Sequence, residues 1–184
     1  MMTTGRILRA VTLAAALTTT ALPVMAGNSG DYLAARQARM SADFDKAVFY
    51  YIRALGKDPH NPQLLEGAAL SQLSAGNLDR AVSIAKRMED DDLESQISQA
   101  ILSADEFMTG EYAAILDRVT ADRGVGPLVD GLMVAWAQLG KGEMSQALDT
   151  FDKVADTKGL RGFALYHKAL ALAMVGDFEG SEAI

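Results

Sequence analysis

The sequence predicts an all-α protein built from a recurring pair of helices, and three observations carry that reading. Alanine, leucine and methionine dominate an apolar set that makes up 49% of the 184 residues, while runs of valine and isoleucine are scarce. Helix is therefore favoured over strand in nearly every window. Phe44, Ala47, Tyr51 and Ala54 recur at helical spacing and so share one face of a helix. Small residues then return at nearly constant distance: Gly76, Gly110, Gly142 and Gly176 are separated by 34, 32 and 34 residues, with Ala42 a further 34 before Gly76.

Arg6 and Arg9 precede an uncharged, mainly apolar run from Ala10 to Leu22, and Val24-Met25-Ala26 supplies the small residues of a signal-peptidase site. Residues 1–26 are expected to be a cleaved export signal and residues 27–30 a short leader. The run is interrupted by Thr18, Thr19 and Thr20 and is too short for an uncleaved membrane anchor, so no transmembrane segment is expected in the mature chain. Loss of the two arginines takes the formal charge from −7 to −9. There is no cysteine, which excludes a lipoprotein anchor and disulfides and suits a bacterial periplasm. The acidic balance argues against nucleic acid as partner, because phosphate neutralisation needs a clustered excess of lysine and arginine.

A first helix is expected from Asp31 to about Met40, with Ala34, Ala35 and Ala38 on its small face. The second, Ala42 to Gly56, alternates rings with alanines: the alanines let a neighbouring helix approach and the rings fill the space beside it. Asp58-Pro59 prevents its continuation. Asn61 then stands as an N-cap with Pro62 at the first helical position, opening a helix to Ser74 that stops at Gly76. The next runs from Leu78 to about Met88, before an acidic turn Glu89-Asp90-Asp91-Asp92. Farther on, Gly124, Gly126 and Pro127 predict that the helix carrying Val119 ends early and that its successor begins near Leu128, with a local change of superhelical pitch.

Each repeating small residue is followed two positions later by a large apolar one: Phe44, Leu78, Tyr112, Met144 and Phe178. The segments Gly-Asn-Leu-Asp-Arg-Ala, Gly-Glu-Tyr-Ala-Ala-Ile, Gly-Glu-Met-Ser-Gln-Ala and Gly-Asp-Phe-Glu-Gly-Ser resemble the turn of the tetratricopeptide repeat (TPR) family, whose unit is about 34 residues of helix-turn-helix. The resemblance implies a right-handed α-solenoid over residues 31–184 with about four and a half units, near 28–61, 62–95, 96–127, 128–161 and 162–184. The family's opening tryptophan is missing from every first helix, and Ile115 and Ser181 stand where the second helix usually has alanine. The chain stops at Ile184 partway through a helix, and the expectation is either the amino-terminal part of a longer protein or an end sealed by self-association.

In the TPR family the first helices line a concave groove. Transferring that groove by the turn register gives Tyr32, Arg36 and Arg39 in the first unit and Gln63, Glu66, Leu70 and Leu73 in the second. The third unit supplies Ile97, Ala100, Ala104, Phe107 and Met108. The fourth and fifth supply Leu132, Trp136, Leu139, Phe163, Tyr166, Leu170 and Met174. This groove turns from polar to apolar along its length. An apolar stripe at helical spacing is also what a buried core looks like; the functional reading is a hydrophobic slot for a segment of a protein or peptide partner, with Trp136 its leading anchor. Arg36 and Arg39 lack basic neighbours in the second unit, which argues against a carboxylate clamp.

The acidic run Glu89 to Asp92 with Glu94 lacks the glycine-spaced loop of a calcium hand and reads as a solvated turn. Two isolated histidines, His60 and His167, do not make a metal site. No nucleophile elbow, phosphate loop or zinc-helix motif is present. The resulting expectation is a non-catalytic, cofactor-free interaction scaffold of a bacterial cell envelope. The recognition arm of a longer cell-wall enzyme and a self-assembly module are the alternatives.

Overall fold

A computed structural model describes residues 29–184 of the chain. The expected export signal and the first two leader residues lie outside them. The described residues form ten helices and no strand: α1 (Ser29–Met40), α2 (Phe44–Leu55), α3 (Pro62–Ser74), α4 (Leu78–Asp90), α5 (Gln96–Thr109), α6 (Tyr112–Thr120), α7 (Pro127–Gly140), α8 (Met144–Asp156), α9 (Arg161–Met174) and α10 (Phe178–Glu182).

Two boundaries differ from the sequence reading. Helix α1 begins at Ser29, inside the expected leader, because Asp31 in its first turn complements the helix dipole and is tied at 3.2 Å to Arg53 of α2 and at 2.9 Å to Lys57. Helix α4 runs on through Asp90 instead of stopping near Met88. Its Glu89 is drawn inward by Arg118 at 2.9 Å and Arg123 at 2.7 Å.

The repeating turn is one backbone device used five times. Gly76, Gly110, Gly142 and Gly176 have φ of 81°, 76°, 82° and 88°, the left-handed region that glycine enters at little cost, and Ala42 takes the same turn at φ 55°. The next residue then sends its N–H back across the helix end. Asp43 bonds the Ala38 carbonyl at 2.9 Å, Asn77 that of Gln72 at 2.9 Å, and Glu111 that of Glu106 at 2.7 Å. Glu143 reaches Gln138 at 2.8 Å and Asp177 reaches Leu172 at 3.0 Å. These are Schellman closures, which satisfy carbonyls that the helix end leaves open.

Consecutive helices pack against one another, and α1 also touches α3, α3 touches α5 and α7 touches α9. Contact between alternate helices is what translational stacking produces. Alanines fill much of the interior between helices: Ala35, Ala47, Ala54, Ala68, Ala81, Ala85, Ala135, Ala147, Ala164 and Ala171 are all fully buried. Where a ring fills the gap, the facing helix gives way. Tyr51 lies on Gly67 of α3 so closely that a Cβ there would run into its ring.

The stack changes character at α5–α6, the thinnest of the within-unit pairings. The buried apolar clusters lie on either side of it: two unite α1 to α5, with Met88 and Leu102 among their members, and two unite α7 to α9 around Phe151 and Val154. Between them the core is polar. Arg118 of α6 is buried, bonded to Glu106 of α5, to Gln99 at 2.6 Å and to Glu89 at 2.9 Å. Burial works against the Arg118 charge, but its hydrogen bonds to Glu106 and Glu89 outweigh that, and the guanidinium pKa is held above its ordinary value. The short linker after α6 then ends in Gly126 at φ 152°, where the Asp130 carboxylate accepts the Val125 N–H at 2.7 Å and the Gly126 N–H at 3.1 Å.

Candidate functional site

Three cavities follow one another along the face made by the first helix of each pair. At the amino-terminal end a polar one of about 250 Å³ is lined by Tyr32, Arg36 and Arg39 of α1 with Gln63, Glu66 and Glu94. The Arg36 guanidinium lies 5.7 Å from the Tyr32 ring centre, a cation–π contact that holds it over the cavity wall. Next comes an apolar cavity of about 380 Å³ between α3 and α5, lined by Leu70, Leu73, Ile97, Ala100 and Ala104.

The largest, about 660 Å³, opens where the stacking of first helices lapses, between α5 and α7. Phe107 comes from α5, Tyr112 from α6, Val129, Leu132, Met133, Trp136, Leu139 and Gly140 from α7, and Met174 and Val175 from the end of α9. Its volume is within the range of ligand pockets, and its lining is almost wholly apolar. Aromatic geometry fixes its walls. Phe107 and Tyr112 meet edge to face at 6.2 Å, and Trp136 meets Phe151 the same way at 5.9 Å.

Trp136 is also held from behind. Its indole N–H donates to Nδ1 of His167 at 3.1 Å, so that nitrogen must be bare, and the two rings stand edge to face at 6.0 Å. An indole whose polar atom is satisfied by the scaffold presents its remaining surface as an apolar wall. This gives His167, which by sequence is an isolated mid-helix histidine, a positioning task.

Of the residues expected in the groove, Phe107, Leu132, Trp136, Leu139 and Met174 meet around the large cavity, Leu73 lines the middle one, and Tyr32, Arg36 and Arg39 line the polar one. Met108, Phe163 and Tyr166 stand outside all three, at 74%, 58% and 67% exposure. Tyr112, Val129, Met133, Gly140 and Val175 were not among the expected residues. Tyr112 occupies the aromatic place of the repeating turn and so reads as packing. It reaches the cavity because Gly140 has no Cβ to block its ring.

The acidic run is less solvated than its composition suggests. Beyond the Glu89 bridges, Asp91 meets His60 at 2.8 Å and Arg87 at 3.7 Å. Among the described residues no three His, Cys, Asp or Glu side chains gather so as to hold a metal ion, and no helix is long and apolar enough to cross a membrane.

No family model matches this chain, and no curated protein matches it. Among solved structures it is similar to one described as the crystal structure of MamA protein, at 21% sequence identity and a TM-score of 0.69, covering 85% of this chain and 86% of that one. That likeness is one of fold, and the fold is a TPR-like α-solenoid.

Proposed function

We propose that this chain is a non-catalytic interaction scaffold, exported to the bacterial periplasm, that binds a segment of a partner protein along its first-helix face. The observation that carries the proposal is the cavity of about 660 Å³ walled by Phe107, Tyr112, Leu132 and Trp136. Large side chains on rigid helices, gathered around an open apolar hollow, are what a partner's bulky side chain fills, and tryptophan is the residue type that most often dominates such binding. The pattern of an export signal in residues 1–26 and the lack of cysteine support the envelope setting.

The test is a crosslinked pull-down from envelope extract with the chain beginning at Gly27, run beside Trp136→Ala and Leu132→Asp. Proteins captured by the parent and lost by both variants, with helical circular dichroism retained, support the groove. An unchanged set of captured proteins sinks it.

A further inference from the structure

The large cavity has a charged rim, and its sign specifies the partner. Three turns between first and second helices reach the cavity, contributing Tyr112, Gly140 and Val175 to its lining. Each of those turns carries an acid: Glu111, Glu143 and Asp177. The one base among them, Lys141, is neutralised by Glu143 at 2.9 Å.

What these acids do locally distinguishes them. Asp177 caps α10, accepting the Gly180 N–H at 2.9 Å. Glu111 and Glu143 occupy the N-cap positions of α6 and α8 but make no side-chain cap bond there. Glutamate is a poor N-cap, and serine, threonine, aspartate or asparagine at these places would stabilise the helices better. Glu111 is exposed, precedes Tyr112 in the chain and takes part in no ion pair among the described residues. Net negative charge therefore borders an apolar hollow, with no free base beside it in these turns.

Resting on the groove reading above, we infer that the occupant of this cavity is a cationic amphipathic segment, one that inserts bulky apolar side chains against Trp136 and sets lysine or arginine over the turns bearing Glu111 and Asp177. Apolar burial holds such a segment, and the rim selects its charge and speeds its approach.

Trp136 is the only tryptophan of the chain, so its emission reports directly on the cavity. The probes are two synthetic amphipathic peptides of about four helical turns. They share a leucine and phenylalanine face and differ only in carrying lysine or glutamate beside it. The lysine peptide should shift Trp136 emission and bind about tenfold tighter than its twin at low ionic strength, with the preference collapsing near 1 M salt. Glu111→Gln should narrow that preference severalfold with the melting temperature nearly unchanged, since the side chain makes no cap bond. Equal binding of the two peptides at every salt concentration overturns the charge inference and leaves the groove standing, as does tighter binding of the glutamate peptide. If neither peptide perturbs Trp136, both this inference and the groove reading fall.

Discussion

Ala42 is the residue on which the repeat register is tested most sharply. It takes the left-handed turn at φ 55° that four glycines take elsewhere, and a Cβ in that region is strained. Ala42→Gly should therefore raise stability by about 1 kcal/mol, with the larger backbone freedom of unfolded glycine trimming the gain. In a thermal melt that is a rise of about 2–4 °C. Two further substitutions test the packing. Gly67→Ala drives a methyl into the Tyr51 ring, and Ala47→Leu adds bulk at a fully buried site, so each should cost about 1–3 kcal/mol by chemical denaturation. Unaltered midpoints in both would reject the helix pairing described above. The alanine positions and the place of the repeating turn were legible in the sequence because both are local: one follows from helical spacing, the other from a small residue at fixed distance. The Tyr51–Gly67 contact was not, because it joins two helices whose relative height no local pattern specifies.

At the scale of elements, helix ends were read best where a side chain itself makes the cap. Asn61 accepts the Gln63 and Leu64 N–H groups at 3.1 and 3.2 Å with Pro62 behind it, as its order in the sequence implies. The end of α4 was misread, and the interior of α6 went unread, for the opposite reason. Glu89, Glu106 and Arg118 are far apart in the chain and look solvated one at a time; only the approach of α4, α5 and α6 turns them into a core. That core should be fragile to half-measures. Arg118→Met leaves Glu106 buried without its partner and should cost about 3–5 kcal/mol, whereas the double variant Arg118→Met/Glu106→Leu should recover much of it, because an apolar pair replaces a buried ion pair at little net cost. Denaturant midpoints of the two proteins decide the matter. The same element scale explains the cavity. Trp136, Leu132 and Phe107 were foreseeable from the TPR resemblance, which places a groove on the first helices, but Tyr112 and Val175 come from the turns between helices and enter where α5 and α7 do not close on each other.

Across the whole molecule, the apolar clusters of α1–α5 and of α7–α9 are separated by the polar joint at α5–α6. Cooperativity in a stacked array depends on the pairing within units and between them, and α5–α6 is the thinnest pairing of consecutive helices. Amide hydrogen exchange should accordingly find α6 and the linker to Pro127 opening before either flank, and calorimetry should return a measured enthalpy larger than the van't Hoff value. One sharp transition with matching enthalpies would show that the joint transmits folding as well as the rest. The stacking has a kinetic consequence too. Because each helix touches little beyond the next one or two along the chain, every loop closed during folding is short. The polypeptide can then acquire structure progressively from whichever end is released first, each new hairpin docking on one already formed, a useful property for a chain that emerges as a thread from a narrow exit.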